Sequence, residues 1–127
     1  MGIRVRADTR EGLLWPAAIG LYAALGELSA EESVSSPFVF RGQGRDDAIL
    51  LRDFLTELLI LFERKHKLLV SIESASFHKG TLNVSGKAAQ VDSKHSVFFR
   101  EVKAITYHEL GIREVDGGYE ATLIVDI

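Results

Sequence analysis

The chain has 127 residues, 46% of them apolar and 26% charged, with a formal net charge of −3 and no cysteine. That length and balance describe one globular domain, able to bury roughly two-thirds of its unfolded surface without covalent staples. They exclude disulfides, thiolate metal centres and cysteine nucleophiles, a span of about 18 consecutive apolar residues, and a dedicated, general nucleic-acid binder, which carries a basic excess.

The opening "MGIRVRADTR" has no apolar stretch of the kind a secretory signal needs, and Arg6 stands where myristoylation wants Ser or Thr. A cytoplasmic location is the expectation. Ile3, Val5 and Ala7 alternate with Arg4, Arg6 and Asp8, which predicts a half-buried strand. Asp8 and Glu11 have the spacing of a helix cap. The helix that follows places Leu14, Ala17, Ala18, Leu21, Tyr22 and Leu25 on one stripe, with Pro16 kinking it or delaying its start and Gly26 stopping it.

"SVSSPFVFRG" (33–42) reads as a strand in which Pro37 favours an edge or entry position. "GRDDAILLRDFLTELLILFERKHK" (44–67) is the strongest helix. Asp46 and Asp47 suit its positive end, and Arg64, Lys65 and Lys67 its negative end. Its apolar residues cover most of the circumference, broken only by Arg52, Asp53, Glu57 and Glu63, so sheet should clasp it on more than one side. From Leu68 onward the signals are those of strands: 68–74, 81–89, 97–110 and 119–127, with turns at His78-Lys79-Gly80 and Asp116-Gly117-Gly118. Two helices followed by runs of strands predict a single α+β domain over 1–127, two helices packed with mostly antiparallel β-sheets around one long buried second helix.

Charge is unevenly spread. Residues 1–63 hold six basic against ten acidic side chains, whereas residues 64–103 hold eight against three. A solvated surface accounts for this; a face that meets RNA or an acidic protein is the sharper reading.

Motifs for catalysis are missing. His108-Glu109 lacks the second histidine of a zincin, "RGQGRDD" lacks both the dinucleotide and P-loop spacings, and no nucleophile elbow occurs. His66, His78 and His95 have no metal-ligand spacing and read as surface histidines. Two features remain. In an extended strand, Lys103, Ile105 and Tyr107 share one face, while Val102, Ala104, Thr106 and His108 share the other. Asp126 stands beside the terminal carboxylate of Ile127, and such hard oxygens suit Ca²⁺ or Mg²⁺. The residues alone leave open whether Lys103 and Asp126 form a structural pair, strand-end charges or a functional outcrop.

Three segments in order, "LLRDFLTELLILFE" (50–63), "VKAITYHELGI" (102–112) and "YEATLIVDI" (119–127), resemble the archease family. That family carries an acidic, leucine-rich helix, a V/I-K-A-x-T-Y-H strand and a terminal V/I-x-D-I; "GIRVRADTREGL" also resembles its first strand. The resemblance implies an accessory protein, itself no enzyme, that promotes guanylylation and turnover of an RtcB-type GTP-dependent RNA ligase, with tRNA reached indirectly through the ligase and no membrane partner. It puts Lys103, His108 and Asp126 in partner activation. It makes Asp126 and Ile127 contacts of a divalent cation, Ca²⁺ among the candidates. The family's other protein ligand, an aspartate in a His-Thr-Ala-Asp segment before the first strand, has no counterpart ahead of Gly2-Ile3, and Asp8 lies about 17 Å along that strand. The expected metal site is therefore incomplete. Two other readings are a small metal-dependent hydrolase using Lys103, His108 and Asp126, and a chaperone-like binding module.

Overall fold

The computed structural model describes the backbone of residues 1–127 and every side chain except that of Glu32. β1 (Gly2–Ala7) turns Ile3 into the core and leaves Arg4 and Arg6 outside, as its alternation predicts. The Asp8 cap does not form. Thr9 lies one residue nearer and its hydroxyl accepts the Gly12 N–H (3.0 Å), while a short 3-10 turn, Glu11–Leu13, leads into α1 (Leu14–Leu25). Glu11 instead accepts the N–H of Phe77 (3.0 Å), tying this turn to a strand far along the chain. Pro16 is the third residue of α1, where an N–H has no intrahelical partner, so it sits at the start without breaking the helix. All six residues of the expected stripe are buried.

Gly26 ends α1 for a reason other than a left-handed cap. The backbone there is extended and opens β2 (Gly26–Glu27), and a Cβ would collide with the carbonyl oxygen of Val97. β3 (Ala30–Gln43) runs beyond the predicted 33–42 at both ends. α2 (Asp47–Lys65) is capped by Asp46, whose carboxylate accepts the Ala48 N–H (2.8 Å). β4 (Lys67–His78) and β5 (Thr81–Val91) join through Lys79 and Gly80, both at positive φ (47° and 74°), the pair of left-handed residues that matches strand twist in a tight hairpin. The sheet order is β3-β5-β4, so Pro37 lies on an edge strand.

The rest of the chain is β6 (Val97–Phe98), β7 (Ala104–Ile105), β8 (Gly111–Val115) and β9 (Gly118–Asp126). β9 is the spine of a four-stranded antiparallel sheet: β1 pairs along one side of it, and β8 and β7 pair along the other. β2 and β6 form a separate two-stranded ladder. The mostly antiparallel α+β architecture is as predicted. α2 packs on β3, β4 and β5 and also reaches β7 and β8. Phe54 of α2, fully buried, meets Phe38 and Phe40 of β3 edge-to-face at 6.3 and 5.8 Å. No described helix is long and apolar enough to cross a membrane.

One predicted strand is corrected. Residues 97–110 are not continuous: only β6 and β7 are extended and paired, and a turn follows at Tyr107–Glu109, with Glu109 at φ 52°. The chain is pulled in two directions. Phe99 N–H donates to the Leu25 carbonyl at the end of α1 (2.9 Å), and Lys103 N–H to the Asp126 carbonyl on β9 (2.7 Å). The two-faced alternation expected for 102–108 fails with it, since Val102 and Ile105, three apart, are the buried residues.

Candidate functional site

The site is built where β7 meets the end of β9. Ala104 pairs with Asp126 and Ile105 with Val125. Ile105, Val125 and Val102 are each 1% exposed, so three apolar side chains anchor this corner from inside. Outside them the polar neighbours project. Lys103 and Asp126 are both exposed, joined by the Lys103 N–H···O=C Asp126 bond at 2.7 Å. On the other side of β9, Val125 N–H donates to the Met1 carbonyl at 2.8 Å. The backbone thus brings Lys103 and Asp126 side by side. Their side chains form no ion pair within 4.0 Å with each other or with any other described residue.

His108 stands apart. It lies in the turn after β7, four residues beyond Ala104, with its side chain 76% exposed and Nε2 3.9 Å from Glu109. Its N–H is held by Thr106 Oγ1 at 3.1 Å. Ile127 is half exposed at the end of β9. His66 and His78 are exposed at element ends, and His95 pairs with Asp92 at 2.7 Å, a contact that holds the Asp92 carboxyl below its ordinary range. The basic residues of 64–103 do not gather. Lys65 closes α2 and Lys67 opens β4, whereas Lys79 follows the far end of β4, about 40 Å on at strand rise.

A divalent cation finds a poor donor set here. Ca²⁺ takes six to eight oxygens. Among the described residues there is no group of three or more His, Asp or Glu side chains placed to share an ion. Asp126 and Ile127 offer oxygens from two adjacent residues, and Lys103 adds a positive charge at the same corner. Among the described residues, the donors at this corner do not by themselves fit a resident Ca²⁺.

Two residues, one at this corner and one farther up β9, escaped sequence reasoning. In the sequence Arg52 is one of four polar interruptions of an apolar helix. Its Nε donates to the Ile105 carbonyl at 2.9 Å, and its guanidinium lies over the Tyr107 ring, 4.2 Å from the centroid. It therefore holds β7 and the following turn from the α2 side. An arginine on a leucine-rich helix, next to Asp53, was the available signal, but nothing in the sequence names its partners on β7 and the turn beyond. The second is Glu120. Only 3% exposed, it is bonded by Arg6 Nε (2.7 Å) and by Arg113 Nε and Nη2 (3.1 and 2.7 Å). Hydrogen bonds from Arg6 first, then Arg113, pull its carboxyl below the usual range. The cluster stitches β1, β9 and β8 across the outer face of the sheet.

Comparison with known proteins agrees with this architecture. The sequence matches the model of the Archease protein family (MTH1598/TM1083) over residues 1–127. The archease of Methanopyrus kandleri is 33% identical over 127 residues, covering 98% of this chain and 90% of that one. The archease of Pyrococcus abyssi is 31% identical over 133 residues, covering 100% and 92%. Among solved structures, the Methanobacterium thermoautotrophicum protein 1598 superposes with a TM-score of 0.75 at 22% identity, covering 99% of this chain and 91% of that one. An archease from Thermotoga maritima, described as a possible chaperone, gives 0.70 at 15% identity, covering 100% and 90%. These last two share the fold; with the family match along the whole chain and the relatives above 30% identity, they lead to one conclusion: the chain belongs to the archease family.

Proposed function

We propose that this chain is a non-catalytic accessory protein that acts in the cytoplasm on an RtcB-type GTP-dependent RNA ligase, promoting its guanylylation and repeated turnover in tRNA splicing and RNA repair. Family membership supports an accessory role. The observation that carries the finer reading is the pair of neighbouring, solvent-facing charges, Lys103 and Asp126, which spend nothing on each other. Exposed charges of this kind contribute little to the stability of their own fold. Buried against a partner, each can meet a complementary group, and removing one member of such a desolvated pair costs about 2–5 kcal/mol. The phosphoryl chemistry belongs to the ligase; the accessory protein contributes an ammonium and a carboxylate from two residues whose backbones are hydrogen-bonded to each other.

The test is the rate of guanylylation of the purified ligase by GTP, with and without this chain. Wild type accelerates it, while Asp126→Ala, folded as judged by circular dichroism, loses at least about tenfold of the acceleration. An unchanged rate with wild type, or full acceleration by the variant, overturns the proposal.

A further inference from the structure

Three consecutive apolar side chains stand in solvent at β6 and just after it: Val97 is 54% exposed, Phe98 55% and Phe99 51%. Runs of this kind are avoided on a surface unless they meet something. The backbone beneath them is firmly held. Gly26 pairs with Phe98 and Glu27 with Val97, Phe99 N–H donates to the Leu25 carbonyl, and Arg100 Nη1 donates to the Ala24 carbonyl at 2.6 Å. The rings are held as well: Phe98 lies 6.2 Å from Phe62 of α2, and the Arg100 guanidinium is 5.9 Å from the Phe99 centroid. Rigid aromatic side chains on a fixed backbone are the usual anchors of a protein interface, because little freedom is lost when they are buried.

The kind of occupant follows from area, charge and position. The three side chains expose about 300 Å², well short of the ~800 Å² per partner of a stable protein interface, so the ridge by itself does not make a homodimer. Nucleic acid fits poorly. Along the chain, the cations flanking the ridge and its neighbours Glu27 and Phe62 are Arg64, Lys65, Lys94, Arg100 and Lys103, against Glu27, Glu63, Asp92 and Glu101, an excess of one and no basic funnel. Position points to the ligase: Phe99 is four residues from Lys103, at most about 14 Å of chain.

We propose that Val97, Phe98 and Phe99 form a docking ridge that inserts into an apolar pocket on the same ligase that Lys103 and Asp126 act upon. This rests on the function proposed above and divides it: the ridge supplies grip, and the charged corner supplies activation.

The experiment measures ligase guanylylation against concentration of the accessory protein, with direct binding of the two purified proteins alongside. The probes are wild type, Phe99→Ser, Phe98→Ala/Phe99→Ala and Asp126→Ala. Both ridge variants are expected to raise the half-saturating concentration and the Kd by about tenfold or more while reaching the wild-type maximum. Asp126→Ala is expected to lose the maximum, which no increase in its concentration restores. Phe99→Ser leaves the Phe98–Phe62 contact in place, so it reports on docking even where the double variant is destabilised. Unchanged half-saturation in the ridge variants overturns this inference and leaves the proposed function standing. So does a wild-type dimer in sedimentation that these variants dissociate, or binding of a single-stranded RNA oligonucleotide that they abolish. A wild-type protein that neither binds nor stimulates the ligase overturns both.

Discussion

Tyr22→Phe removes one oxygen from the interior and leaves every ring carbon in place. That oxygen accepts the N–H of Leu69 at 2.8 Å, at the point where β4 bulges between Leu69 and Ser71 and the ladder to β5 slips. Without the hydroxyl this buried N–H has no partner, which costs about 1–3 kcal/mol at neutral pH. A second consequence appears in alkali. Burial pushes the Tyr22 phenol from 10.0 up to about 12, against the opposing pull of the Leu69 N–H. The folded state therefore holds the proton more tightly than the unfolded chain. Below the unfolded value neither state ionises and the stability is complete. As pH rises from about 10 to about 12 the unfolded chain ionises first, and stability is lost until the folded state ionises too, on the order of 3 kcal/mol for a two-unit difference. Urea unfolding followed by circular dichroism, from neutral pH to about pH 12, compares wild type with Tyr22→Phe and cancels the other tyrosines and lysines. The wild-type advantage at neutral pH should shrink through the alkaline range and vanish or reverse at its end. Equal stability at neutral pH, or two parallel curves, refutes the reasoning.

Two further outcomes are expected. The depressed Glu120 carboxyl stabilises the fold above its unfolded pKa, and that contribution is lost as pH falls through the folded value; thermal unfolding against pH should show Glu120→Gln less stable near neutrality and less sensitive to acid than wild type, with identical profiles counting against the Arg6–Glu120–Arg113 clamp. Arg52→Met frees the Ile105 carbonyl and the Tyr107 ring, and amide exchange at Lys103 and Thr106, whose N–H groups bond Asp126 and Ile124, should quicken about fivefold or more; unchanged exchange there means that Arg52 does not hold the corner.

The parts of the fold legible in the sequence are those set by local chemistry. Asp46 ahead of an apolar run marks the start of α2, His78-Lys79-Gly80 marks the β4–β5 hairpin, and the alternation of Ala121, Leu123 and Val125 marks the buried side of β9. What was hidden depends on distant partners. Residues 97–110 have β-forming composition throughout, but Phe99 bonds the end of α1 and Lys103 bonds β9, and no local pattern encodes that the strand must break between them. The Asp8 cap yielded to Thr9 because both side chains can reach a first-turn N–H and loop geometry chose one. At the functional corner, the motif singled out Lys103, His108, Asp126 and Ile127, whereas the separation of His108 from the charged pair depends on the turn at Glu109. Arg52 needed the tertiary structure outright.

The central claim is that Lys103 and Asp126 act together on one partner, and a double-mutant cycle reads it directly. Ligase guanylylation is measured at saturating accessory protein for wild type, Lys103→Ala, Asp126→Ala and the double variant, all shown to be folded. Groups that work as a unit are strongly non-additive, so each single change should remove nearly as much stimulation as both together. Stimulation close to wild type in either single variant, or losses that simply multiply in the double, contradicts the account.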